Sequence, residues 1–189
     1  ISLILRKYNK KKYLNINNLN YKRIKLIQKI FPNAIFLIPY RDPLQHSFSL
    51  YSQHKHFIRI QSQDKFILSY MNYLGHHEFG LNYKFWNKPI KFHDKLNVNH
   101  WLEQWYLFYK QMQENYIHNS NCIFLIYENF SNSLFIKKIM KDLSLSKKDN
   151  MDINIFKNLN KKNINIKYDH NIYEDALKIY NNSLNHKHV

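Results

Sequence analysis

The chain has 189 residues, 44% of them hydrophobic, and a formal net charge of +16 at pH 7. That length supports one domain with a real core and is too short to expect two. No apolar run approaches the roughly 20 residues of a membrane-crossing helix, and a lone cysteine, Cys122, excludes an internal disulfide. The first residue is Ile rather than Met, which reads as a chain that begins inside a longer one. The charge invites a nucleic-acid reading, but the basic set is 25 Lys and only 4 Arg. Arg supplies the planar fork that clamps phosphate and reads guanine, and it is scarce here. The excess therefore reads first as solvated lysine faces, then as attraction to small anions, and least as a polynucleotide surface.

In chain order, Ser2 to Lys11 is a short helix and Tyr13 to Ile16 a short strand entering an Asn-rich turn at Asn17, Asn18 and Asn20. Ile24, Ile27 and Ile30 fall at helical spacing within Tyr21 to Ile30, and Phe31-Pro32-Asn33 ends that helix. Ala34 to Ile38 is a continuous apolar run, the mark of a strand buried on both faces. Asp42 suits an N-cap and Pro43 the first helical position, so a helix starts there and runs to about Phe57. Another spans Gln63 to Leu74. Gly75 to Asn99 is an irregular excursion, and Asn99 to Tyr116 a long aromatic helix. Cys122 to Tyr127 is a second buried strand, in which Cys122 is a packing residue rather than a reactive thiol. A helix follows over Asn132 to Leu143, then a weakly patterned Asn- and Lys-rich stretch from Lys147 to Lys167, then a helix from about Ile172 to Leu184.

Helices alternating with continuous apolar strands imply an α/β fold with a parallel sheet flanked by helices. Ligands of such sheets bind at the carboxyl ends of the strands, here Pro39 to Pro43 and Tyr127 to Phe130. At the first place a strand delivers Arg41 where a helix N-terminus opens, and both favour an anion. Ser49 lies eight residues after Arg41, roughly 9 Å up the helix from Pro43, where a hydroxyl would complete a phosphate pocket. The plainer alternative pairs Arg41 with Asp42 and leaves Ser49 on the surface. Gly75 and Gly80 are the only glycines, so a Gly-rich phosphate loop is not encoded within these residues.

Phe31-Pro32-Asn33-Ala34, the strand, Arg41-Asp42-Pro43, Ser49 and Tyr51 together closely resemble the 3′-phosphate segment of sulfotransferases that use 3′-phosphoadenosine-5′-phosphosulfate. The strand ending in Tyr127-Glu128-Asn129 resembles the family's Tyr-Glu-Asp segment, with Asn129 in place of the aspartate. The resemblance runs from about Tyr13 to Leu145. It implies a P-loop-NTPase-like sulfotransferase fold, of which residues 1–189 are a partial domain with the first strand and phosphosulfate loop upstream of Ile1. It implies that Arg41 and Ser49 hold the donor's 3′-phosphate and that Tyr127 lies near the adenine. The family's basic, glycine-containing carboxy-terminal loop is also missing, unless Lys157 to Lys167 substitutes for it.

The expected function is thus transfer of a sulfuryl group from that co-substrate to an unidentified hydroxyl or amine acceptor. The chain by itself is expected to show no turnover. Candidates for the base are His76, His77 and Glu78, in the cluster Gly75-His76-His77-Glu78-Phe79-Gly80, with acceptor binding, loop stabilisation and metal ligation as the other readings. The cluster does not match the helical zinc pattern, and no metal is expected. His46, His54 and His56 read as surface groups, and Trp101 and Trp105, one turn apart, as core. A basic, non-enzymatic nucleic-acid-binding domain is the alternative function, and an ordinary nucleotide kinase would not predict the serine at plus eight. Acceptor, oligomeric state and compartment stay open.

Overall fold

A computed structural model describes residues 1–145 and 164–185, and most of the Lys147 to Lys167 stretch lies outside the described residues. The chain divides into two compact units, Ile1–Phe36 and Leu37–Val189.

The first unit opens with helix α1, Ser2–Lys7. It stops short of Lys11 because Asn9 takes a left-handed φ of 48°. The Asn9 N–H then donates to the Arg6 carbonyl (3.2 Å) and the Lys10 N–H to that of Leu5 (2.9 Å). This turns the chain out of the helix while satisfying its last carbonyls. The strand expected at Tyr13 to Ile16 does not form: these residues are exposed and irregular. A lone strand with no neighbour leaves its backbone groups to water, and propensity cannot hold it. The expected Asn turn is a cap, with the Asn17 side chain accepting from the Leu19 N–H at 2.8 Å at the start of a 3₁₀ turn, Asn18–Arg23. Helix α2, Ile24–Ile30, follows.

Strand β1, Phe36–Tyr40, begins at the last residue of the first unit and pairs with β2, Cys122–Ile126, in a two-stranded parallel sheet. The α/β class is as the sequence implies. β1 is not buried on both faces, however: Ile38 and Tyr40 are covered while Leu37 and Pro39 are exposed. The apolar run cannot by itself distinguish a half-covered strand from a fully covered one. Helix α3, Pro43–Gln63, starts where Asp42 and Pro43 predict and runs two turns past Phe57. It ends at Asp64, which caps α4, Lys65–Tyr73, by accepting from the Phe66 N–H at 2.8 Å.

Helix α5, Val98–Tyr116, is the centre of the second unit and packs against α3 and against α7, His170–Asn185. Trp101, Leu102 and Trp105 are all but inaccessible to solvent. Each large apolar side chain so covered contributes roughly 1.5–3 kcal/mol. The core reading of both tryptophans therefore holds, as does that of buried Cys122, whose thiol burial pushes up to about 11. Leu125 of β2 joins Phe135 and Ile139 of α6, Ser133–Asp142, in a second cluster.

Candidate functional site at the strand ends

Because β1 and β2 are parallel neighbours, Arg41 and Tyr127 leave the sheet at the same edge. The Arg41 guanidinium carbon lies 4.9 Å from the centroid of the Tyr127 ring, a cation–π contact between two half-buried side chains. The residues that follow are joined as well. The Asp42 N–H donates to Glu128 Oε1 at 2.9 Å, and the Tyr180 hydroxyl of α7 donates to Glu128 Oε2 at 3.0 Å. One carboxylate thereby ties both strand ends to the carboxy-terminal helix.

Among the described residues this arrangement leaves Arg41 without an ion-pair partner. Glu128 has both oxygens committed, and Asp42 Oδ1 accepts from the Gln45 N–H at 2.9 Å as the cap of α3. Among the described residues no carboxylate forms an ion pair with Arg41, so the Arg41–Asp42 pairing weighed from the sequence does not occur. A cation–π contact does not consume the guanidinium N–H donors, which can still serve an anion. The first turn of α3 adds backbone N–H groups and the positive end of a 21-residue helix.

His46, on that first turn, is half-buried with an inward Nδ1 that has no partner among the described residues. Burial, with the Arg41 charge adding to it, lowers its pKa to about 4. It is neutral at pH 7 and a packing residue, not the surface group its sequence context implies. Burial also raises Tyr180, and the adjacent Glu128 charge raises it further. Its phenol stays a hydrogen-bond donor over the physiological range.

Ser49 is also half-buried, and its hydroxyl has no hydrogen-bond partner among the described residues. The covered stripe of α3 consists of Pro43, Ser47, His54 and Gln61. Six residues beyond Pro43, Ser49 stands roughly 120° around the helix from that stripe and roughly 9 Å along it. Ser47 is the inward serine, its hydroxyl donating to the Pro43 carbonyl at 2.6 Å.

His76, His77 and Glu78 sit elsewhere. Gly80 donates its N–H to His54 Nδ1 (3.1 Å) and Leu81 its N–H to Gln61 Oε1 (2.7 Å). Those anchors lie roughly 16 and 27 Å along α3 from Pro43. His76 faces Glu78 at 3.4 Å in an exposed pair, and His77 turns a buried Nδ1 inward with no partner among the described residues. The strand ends gather Arg41 and Tyr127 and do not include this cluster. No group of three or more metal-ligating side chains occurs among the described residues.

The excursion that carries the cluster is held down by polar groups buried on two helices. His54 is fully covered, and burial, with Lys95 and His100 adding to it, lowers its pKa to about 4. His100 donates from Nδ1 to the Phe92 carbonyl (2.7 Å), so its Nε2 accepts from the Tyr83 hydroxyl (2.9 Å). Buried Glu103 accepts from the backbone N–H groups of Ile90, Lys91 and Phe92 at 2.9–3.2 Å. Gln104 accepts from the Asn87 N–H and donates to the Asn87 carbonyl, both at 2.9 Å. A signal for this was present in the sequence: His100 and Gln104 each directly precede a core tryptophan one turn apart. Tyr180 gave none, because its partner Glu128 is 52 positions away.

Comparison with protein-family models, with curated proteins and with solved structures finds no match for this chain.

Proposed function

We propose that this chain is part of a sulfotransferase domain of P-loop-NTPase-like architecture and supplies the adenosine-3′-phosphate half of a 3′-phosphoadenosine-5′-phosphosulfate site. The observation that carries the reading is the Arg41 guanidinium, in cation–π contact with Tyr127 at 4.9 Å, two residues before the start of α3, and unpaired with any carboxylate among the described residues. A guanidinium held by a cation–π contact and unpaired with a carboxylate among the described residues is the group a phosphate monoester needs. In this reading Arg41 and Ser49 bind the 3′-phosphate and Tyr127 adjoins the adenine. An acceptor hydroxyl or amine attacks sulfur, and a new bond from sulfur to the acceptor forms. The bond from sulfur to the donor's bridging oxygen breaks, adenosine 3′,5′-bisphosphate leaves, and the acceptor's proton passes to a base. The position of His76, His77 and Glu78, well along α3 from Arg41, does not favour them as that base.

Titration calorimetry with adenosine 3′,5′-bisphosphate and with adenosine 5′-monophosphate tests the reading. The bisphosphate should bind at least about tenfold more tightly, and Arg41→Ala should abolish that preference, as expected for loss of a charged hydrogen bond. Equal binding of the two nucleotides, or indifference to Arg41→Ala, would refute it. The nucleic-acid alternative predicts instead a polynucleotide affinity that falls steeply with salt and does not depend on Arg41.

A further inference from the structure

The first 36 residues contain nine lysines and arginines and no aspartate or glutamate; the first acidic residue of the chain is Asp42. Five of these cations, Arg6, Lys7, Lys10, Lys11 and Lys12, fall within seven positions and all are exposed. Large apolar side chains alternate with them and face solvent: Leu3 is 76% exposed, Tyr8 61%, Leu14 75% and Ile16 87%. Apolar groups scattered singly in water are ordinary, but four exposed ones within fourteen positions of a cation-rich, acid-free segment form the pattern of a contact surface.

We infer that this first unit is a peripheral membrane-binding surface that takes lipid bilayers bearing anionic headgroups. The two sets of side chains make complementary demands. The cations need a dense field of fixed negative charge, worth about 1 kcal/mol for each lysine or arginine near an anionic leaflet. The aliphatic and tyrosine side chains need an apolar phase just beneath that charge, and the headgroup boundary of a bilayer offers both within a few ångströms. A nucleic-acid duplex satisfies only the first demand, since its groove and backbone contacts are polar and leave Leu3, Leu14 and Ile16 with nothing apolar to enter. A second copy of the unit fails on charge, because nine cations would face nine. No helix among the described residues is long and apolar enough to cross a membrane, so the contact proposed is with the surface.

Flotation of the full chain with vesicles is the test. Vesicles of phosphatidylcholine and phosphatidylserine in equal parts should carry the protein, and phosphatidylcholine alone should not. Lys7→Glu/Lys10→Glu/Lys11→Glu should weaken partitioning about a hundredfold. Leu14→Ser/Ile16→Ser should weaken it about tenfold and also remove the fraction that stays bound to the parent protein's vesicles at high salt. All four positions concerned outside α1, and Lys7 within it, are exposed, and circular dichroism checks that each variant keeps the parent's fold. Three outcomes overturn the inference: no partition to the anionic vesicles, a Leu14→Ser/Ile16→Ser variant that binds like the parent, or displacement of the parent from the vesicles by an equal phosphate concentration of single-stranded RNA.

Discussion

The hydroxyl of Tyr180 donates to Glu128 Oε2 at 3.0 Å, and the same carboxylate accepts the Asp42 N–H at 2.9 Å. Helix α7 thereby fixes the spacing of two strand ends that touch it nowhere in sequence. Tyr180→Phe removes one donor and should lower stability by about 1 kcal/mol. Glu128→Ala removes the acceptor of both and should cost about 2–3 kcal/mol, since a half-buried backbone N–H loses its partner. Urea midpoints at unchanged m-value measure both.

In the proposed nucleotide site, the Tyr127 ring 4.9 Å from the Arg41 guanidinium carbon holds the fork toward the phosphate. Tyr127→Phe keeps an aromatic face, so nucleotide affinity should stay within about twofold of the parent. Tyr127→Ala removes a contact of about 0.5–1 kcal/mol and should weaken adenosine 3′,5′-bisphosphate binding about three- to fivefold. Calorimetric titration of the pair reads the difference, and equal affinities would show that the Tyr127 contact does not orient the fork.

Stability should fall on mild acidification. His46 and His54 have folded pKa values of about 4, below the ordinary value of 6.5, so the unfolded chain takes up their protons first. Their stabilisation is complete above about pH 6.5 and is lost progressively as pH falls toward 4, at about 1.4 kcal/mol per pH unit for each histidine. Protonating His54 would also displace the Gly80 N–H from Nδ1. His54→Asn offers an acceptor at the same position without titrating. Denaturant midpoints between pH 7 and pH 4.5 should have a slope shallower by one proton in that variant.

The two glycines should differ in their response to alanine. Both have positive φ, 72° at Gly75 and 87° at Gly80, so each substitution strains the backbone by about 1–2 kcal/mol. A Cβ at Gly75 meets nothing within 4 Å, whereas one at Gly80 would lie 2.1 Å from Gln61 Oε1. That oxygen accepts the Leu81 N–H, so it cannot retreat without loss. Gly80→Ala should therefore cost about 3 kcal/mol and Gly75→Ala about 1 kcal/mol in thermal or urea unfolding.

Local chemistry, legible from neighbours a few positions apart, determined much of this molecule. Asp42 and Pro43 set the start of α3, the apolar run from Cys122 set β2, the run at Ala34 to Ile38 located β1 two residues early, and the spacing of Trp101 and Trp105 set the inner face of α5, because turn geometry and helical or strand period act over short range. The cation-rich, acid-free opening is likewise plain from composition. Tertiary structure alone decided which polar groups go inside. The expected strand at Tyr13 to Ile16 found no neighbour, β1 was covered on one face only, His54 was drawn into the interior, and His46 was half-covered with its Nδ1 inward. The clasp of Glu128 with Asp42 and Tyr180, and the grip of Glu103 on the backbone from Ile90 to Phe92, depend on the path of the chain between distant positions, and that path leaves no period in the sequence to read.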